Sequence, residues 1–92
     1  MDLWQLHIFV SVVENKSFSR ASEQIHLSQP TVSTHIKELE EYFQCRLLDR
    51  LGKVTEPTRA GAILYGYAKR MLALKLETQY AILDFLGQTK GQ

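Results

Sequence analysis

The sequence predicts a mainly α fold: a winged helix-turn-helix of three helices plus a small β-wing, followed by a long dimerisation helix. Three observations carry that reading. Residues 18–36 read as two short helices joined by a tight turn, with small polar side chains where the second begins. Leu51-Gly52-Lys53-Val54-Thr55 reads as a turn flanked by short extended pieces. From Thr58 a helix-forming stretch continues without a breaker to Gly87.

The first helix is expected over residues 3–14, with Asp2 as cap and Gln5 completing a capping box. Leu3, Leu6, Phe9, Val10 and Val13 form its buried stripe, and Asn15-Lys16-Ser17 ends it. A second helix over residues 19–25 uses Phe18, Ala21 and Ile25 inward, and His26 in the following turn suits a left-handed cap position rather than a chemical site. The third helix, over residues 29–43, has the clearest start. Ser28 can cap free backbone N–H groups, and Pro30 sits in the first turn, where it removes no intrahelical bond. At about 100° per residue, Val32, Ile36, Leu39 and Phe43 face a core, while Pro30, Ser33, Thr34 and Lys37 face away. Leu47 and Leu48 are then available for burial before the wing, which carries Lys53 at its tip.

The chain therefore divides into a head over residues 1–57, a long helix over 58–87 capped by Thr58, and a polar tail over 88–92. At about 1.5 Å per residue the long helix measures about 42 Å. Its apolar residues Ile63, Leu64, Tyr67, Met71, Leu74, Ala81, Ile82, Phe85 and Leu86 spread over a face too broad for so small a head to cover. The economical cover is the same helix of a second chain in a two-fold dimer, with Tyr67, Met71, Leu74, Ala81, Ile82 and Phe85 at the interface. A downstream domain of a longer chain is the alternative contributor. Tyr65 and Tyr67 read as packing residues rather than a ligand site.

The outward stripe of the third helix carries donors, acceptors and methyls but no bulk. Such a helix suits a DNA major groove, where Gln can pair with adenine, Ser and Thr with various edges, and apolar atoms with the thymine methyl. Capping alone also favours Ser, Thr and Gln at a helix start; the preceding helix and its short turn favour the DNA reading. Charge is less cooperative. The 92 residues carry a formal net charge of +1, with six Lys and Arg against eight Asp and Glu in residues 1–58. Binding must then rest on a few well-placed cations and on duplicated contacts rather than on a basic blanket. The rival reading is a dimeric helical adaptor whose winged head binds protein.

Enzymatic function finds little support. His7, His26 and His35 form no ligand spacing with Cys45, and no phosphate loop, nucleophile elbow or carboxylate pair appears, so no catalytic residue, metal or cofactor is expected in this segment. Cys45, with Phe43 and Leu47 two residues to either side, reads as a reduced, packed thiol. The lack of a long apolar run and of an export signal at Met1-Asp2-Leu3-Trp4 predicts a cytoplasmic protein without a membrane partner.

Leu3, Leu6 and Phe9, then Ser17-Phe18-Ser19-Arg20-Ala21, Ser28-Gln29-Pro30-Thr31-Val32-Ser33, Ile36, Leu39-Glu40, Leu47, Arg50 and Ala60-Gly61 form a specific pattern. The chain resembles, over residues 1–87, the N-terminal part of LysR-type transcriptional regulators. The resemblance implies a winged helix-turn-helix on double-stranded DNA and a linker helix that makes a homodimer, with higher oligomers open to a longer chain. It implies base contacts in the major groove from Gln29, Pro30, Thr31, Ser33 and Thr34, and a minor-groove contact from Lys53. Ser17, Ser19, Arg20, Ser28 and Arg50 would hold phosphates or the local geometry of the head, with a pair to Asp49 or Glu56 as the alternative role of Arg50. A small-molecule co-inducer is implied only for a separate periplasmic-binding-protein-like domain beyond the tail. The chain departs from the family pattern at Thr34 and His35, where Arg and Gln are common, at Gln44 in place of a helix-ending Gly, and at Val54 and Glu56 in the wing. A left-handed Gln44 would cost on the order of 1 kcal/mol relative to Gly. His35, about 70° from the core axis, reads as a flank residue without a DNA contact.

Overall fold

The computed structural model describes residues 1–90 and contains, in order, α1 (Leu3–Asn15), α2 (Phe18–Ile25), α3 (Gln29–Phe43), β1 (Leu48–Asp49), β2 (Glu56–Pro57) and α4 (Arg59–Lys90). Asp2 starts α1 by accepting the Gln5 backbone N–H at 2.8 Å. The Gln5 side chain does not close the expected capping box. It is buried, and its Nε2 donates to Glu38 Oε2 at 2.6 Å and lies 3.2 Å from His35 Nδ1, joining α1 to α3.

The core gathers around α1, which packs against α2, α3 and α4. Leu6, Phe9 and Val10 are buried as the stripe predicts, and so are Ile8 and Val12. A helix surrounded by three others buries more than one face, which a single-stripe reading does not capture. Leu3 lies at the open end of α1 and is 37% exposed, outside that core. Helix α2 begins at Phe18, one residue earlier than expected, because Ser17 Oγ accepts the Arg20 N–H at 3.1 Å. Phe18 and Ala21 are buried and Ile25 packs against them.

Val32, Ile36 and Leu39 carry α3 into the core, whereas Phe43 is 40% exposed. The last turn of α3 overshoots the core, and Phe43 sits edge-on to Tyr42 with ring centroids 5.0 Å apart. Gln44 then adopts φ 55°, ψ 43°, as the left-handed end of α3, and its Nε2 donates to the Glu41 carbonyl at 2.6 Å. This turn swings Cys45 outward, so the thiol is exposed rather than packed. His26 holds the same backbone conformation at φ 58°.

The wing is an antiparallel pair with Leu48 opposite Pro57 and Asp49 opposite Glu56. Leu47 and Leu48 plug its root into the core. Its far side is tied to the α1–α2 turn by the Thr55 N–H, which donates to the Lys16 carbonyl at 3.0 Å.

Thr58 caps α4, accepting the Gly61 N–H at 3.0 Å while its own hydroxyl donates to the Arg46 carbonyl at 2.7 Å. Leu64 and Ala68 join the core. Alongside them, Glu14 Oε2 accepts the Tyr65 hydroxyl at 2.7 Å and Lys69 Nζ at 3.0 Å. Those two bonds, the tyrosine's first, hold the Glu14 carboxyl below its ordinary value. The expected stop at Gly87 is not found: α4 continues to Lys90, since one helical glycine costs about 1 kcal/mol and does not by itself end a helix. Residues 88–90 of the expected tail are thus helical, and 91–92 lie outside the described residues. Among the described residues no helix is long and apolar enough to cross a membrane.

Candidate nucleic-acid interface

Helix α3 buries one side and leaves its opening turns proud of the head. Ser28 Oγ accepts the Thr31 N–H at 3.2 Å and lies 2.8 Å from Thr31 Oγ1, so this pair closes the first turn. Gln29, Pro30, Thr31 and Thr34 are exposed and Ser33 is half-buried. Thr34 Oγ1 donates to the Pro30 carbonyl at 2.9 Å. With its proton committed to the helix, that hydroxyl offers lone pairs and a methyl outward, a set that accepts from an amino group or touches a thymine methyl. The five residues expected at bases therefore share the first two turns of one helix, which is slim enough for a major groove.

Lys53 is exposed in the loop between β1 and β2, whose entry is shaped by the Leu51 N–H donating to Asp49 Oδ1 at 2.9 Å. Of the residues expected at phosphates, Ser17 and Ser28 are helix caps, while Ser19 and Arg20 are exposed on α2. Arg50 forms no ion pair with Asp49 or Glu56 among the described residues; its guanidinium carbon lies 3.6 Å above the centre of the Phe18 ring.

The acids at the end of α3 are largely occupied. Glu40 Oε2 accepts the Leu47 N–H at 2.7 Å and the Leu48 N–H at 3.3 Å, and stands 3.5 Å from Arg46 Nε. Glu38 is held by Gln5, which also ties His35 to α1, so His35 is a flank residue. Sequence reasoning did not place Lys37 or Arg46 in the site. Both line the concavity between α3 and the root of the wing, together with Ser33 and Arg50. The signal for Lys37 was present, since it shares the outward stripe four residues after Ser33, but nothing local to Arg46 reports that the chain folds back beside α3.

On α4 the residues expected between two chains are mostly open to solvent. Tyr67, Leu74, Ile82 and Phe85 are 55–62% exposed, Ala81 is exposed and Met71 half-buried. Met1, Phe43, Cys45 and Ile63 extend this apolar surface toward the head as a shallow recess with Tyr67 and Met71. Phe43 and Cys45 thus belong to the outer surface that sequence reasoning assigned to α4 alone. Among the described residues no group of three or more His, Cys, Asp or Glu stands close enough to hold a metal ion.

Residues 3–62 match the family model of bacterial regulatory helix-turn-helix proteins of the lysR family. The chain belongs to the LysR family. Among its LysR-type relatives, an uncharacterized HTH-type transcriptional regulator in the ibpB-leuC intergenic region of Azotobacter vinelandii is 42% identical over 92 residues, all of this chain and 64% of that one. The HTH-type transcriptional regulator CysL of Bacillus subtilis is 42% identical over 87 residues, 95% of this chain and 29% of the relative. The chain thus spans less than two thirds of the length of these relatives. In three dimensions it resembles the BenM DNA-binding domain solved in a complex with catB site 1 DNA, at a TM-score of 0.85 and 31% identity, covering 95% of this chain and 96% of that one. The full-length LysR-type regulator LysG of Corynebacterium glutamicum, solved with bound effector Arg, matches at a TM-score of 0.88 and 30% identity, covering 96% of this chain and 30% of that one. The mainly helical LysR winged-helix architecture with its long closing helix is common to these structures.

Proposed function

We propose that these residues are the DNA-binding part of a dimeric transcriptional regulator. The first two turns of α3 enter the major groove of double-stranded DNA, with Gln29, Pro30, Thr31, Ser33 and Thr34 at base edges. Lys53 reaches an adjacent minor groove from the wing, Ser19, Arg20 and Arg50 meet phosphates, and the apolar face of α4 pairs two heads on a two-fold operator. The observation that carries this reading is the exposed, small and polar opening of α3, held proud by a buried opposite face and flanked by Lys37, Arg46 and Arg50. Among the described residues we assign no catalytic group, and any small effector is the business of a separate domain.

The experiment is selection of bound fragments from random DNA, followed by titration of the selected site against salt. Two half-sites related by a two-fold axis are expected, with affinity falling at a log–log slope of about −0.9 for each phosphate neutralised. Gln29→Ala should relax preference at one base pair by about 1–3 kcal/mol, and Lys53→Ala should flatten the slope by about one unit. A head that enriches no sequence and binds without salt dependence would transfer the function to a protein partner.

A further inference from the structure

Between the flank of α3 and the root of the wing lies a notch whose floor is apolar and whose rim is cationic. Phe18, Ile36 and Leu48 make the floor, each at most 5% exposed. Lys37, Arg46 and Arg50 stand around it. Glu40 also lines the notch, but its Oε2 already accepts two backbone N–H groups and faces Arg46 Nε. Three cations therefore meet one committed carboxylate.

Two of these cations are held in place. Arg50 sits over the Phe18 ring with its guanidinium carbon 3.6 Å from the ring centre, which holds the group in place without using its N–H donors. Arg46 is tethered by Glu40 and by an Nη2 donation to the Leu48 carbonyl at 3.2 Å, yet its side chain is 72% exposed. An arginine has five N–H donors, so that tether uses only part of its fork. Preorganised guanidinium forks match phosphate oxygens in pairs. An apolar floor a few ångströms beneath them suits a sugar ring rather than a free inorganic anion. Ser33, which also lines the notch, lies on the base-reading stripe, so the strand that passes the notch is the strand bordering the groove that α3 enters.

We propose that this notch seats one deoxyribose-phosphate unit of the DNA backbone, with the sugar against Ile36 and Leu48 and the phosphate between Lys37, Arg46 and Arg50. Lys37 and Arg46 thereby become backbone contacts that fix the register of α3 without reading sequence. Glu40 is a positioning residue for Arg46. The proposal rests on the DNA-binding reading above and extends it to residues outside the expected contact set.

The test compares the whole chain with Lys37→Gln, Arg46→Gln and Arg46→Lys variants on the selected DNA site and on its single-base-pair substitutions, across a range of salt. Each Gln variant should make the negative log–log slope shallower by about 0.9 and weaken every sequence by the same factor. Arg46→Lys, which keeps the charge, should keep the slope. Unchanged slopes for both Gln variants, or a loss confined to particular base pairs, would overturn the notch. If the unaltered chain selects no DNA at all, the broader reading fails instead, so the two failures are distinguishable. Circular dichroism melting of each variant separates lost contacts from lost folding.

Discussion

Gly61, in the first turn of α4, lies directly against the backbone carbonyl of Leu47: a Cβ at this glycine would fall 1.9 Å from that oxygen and 2.9 Å from its carbon. The carbonyl has little room to retreat. It accepts the Thr58 N–H at 3.0 Å, and the Leu47 side chain is anchored in the core at 2% exposure. Gly61→Ala should therefore destabilise the head by about 1–3 kcal/mol through overpacking. Urea denaturation followed by circular dichroism reads the effect directly. An unchanged midpoint would mean that α4 slides along the wing root without cost.

How much of this was legible in the sequence depended on whether the signal was local. Helix α3 was readable to the residue at both ends, because Ser28, Pro30 and the outward polar stripe all act within one or two turns. The start of α2 was missed by one residue because Ser17, read as part of the loop that ends α1, is the cap that sets it. The burial of Ile8 and Val12 and the exposure of Phe43 depend on neighbours distant in sequence, whereas the exposure of Cys45 follows the left-handed turn at Gln44 and α4 passes Gly87 because one helical glycine costs little. At the interface, the opening of α3 was readable from composition. The seat of Arg50 on Phe18 and the tether of Arg46 to Glu40 were not, since each needs the wing to fold back onto α3.

Gln44 ends α3 at φ 55°, a conformation that suits glycine better than any side chain with a Cβ. Its amide partly offsets the strain by donating to the Glu41 carbonyl. Gln44→Gly removes the strain, of order 1 kcal/mol, along with an exposed hydrogen bond of smaller value, so a net gain of about 0.5 kcal/mol is expected. A rise in the thermal midpoint checks it; a fall would show that the side-chain bond outweighs the backbone.

The contact of Glu14 with Tyr65 and Lys69 makes part of the head's stability depend on pH. Because the Glu14 carboxyl titrates below its ordinary value of 4.5, its contribution is present above that value and is lost as pH falls through the lower folded-state value. Tyr65 and Lys69 are both raised by the same contact, so their share is present below their ordinary values of 10.0 and 10.5 and is lost as pH rises through the raised ones. Solvent exposure keeps the effect small. Glu14→Gln should lower the thermal midpoint at pH 7 and bring the two proteins together in acid. Parallel curves down to strong acid would remove Glu14 from the linkage.

Beyond Leu72, no residue of α4 joins the head's core, yet this stretch carries Leu74, Leu76, Tyr80, Ile82, Leu83, Phe85 and Leu86 at 44–63% exposure. Most of a helix's stability in a protein comes from packing its apolar face rather than from propensity, so this stretch calls for an apolar partner. In the proposed dimer a second copy supplies one with matching chemistry and gives the two heads a fixed two-fold spacing. Leu74→Asp combined with Ile82→Asp places charges on this face without touching the head's core. Sedimentation should then show a monomer and circular dichroism a folded head. Binding to a two-half-site DNA should drop by about 10²–10⁴-fold, toward the affinity of a single head. A double variant that still sediments as a dimer would place the contact between copies elsewhere, with the recess beside Phe43 and Cys45 as the next surface to alter.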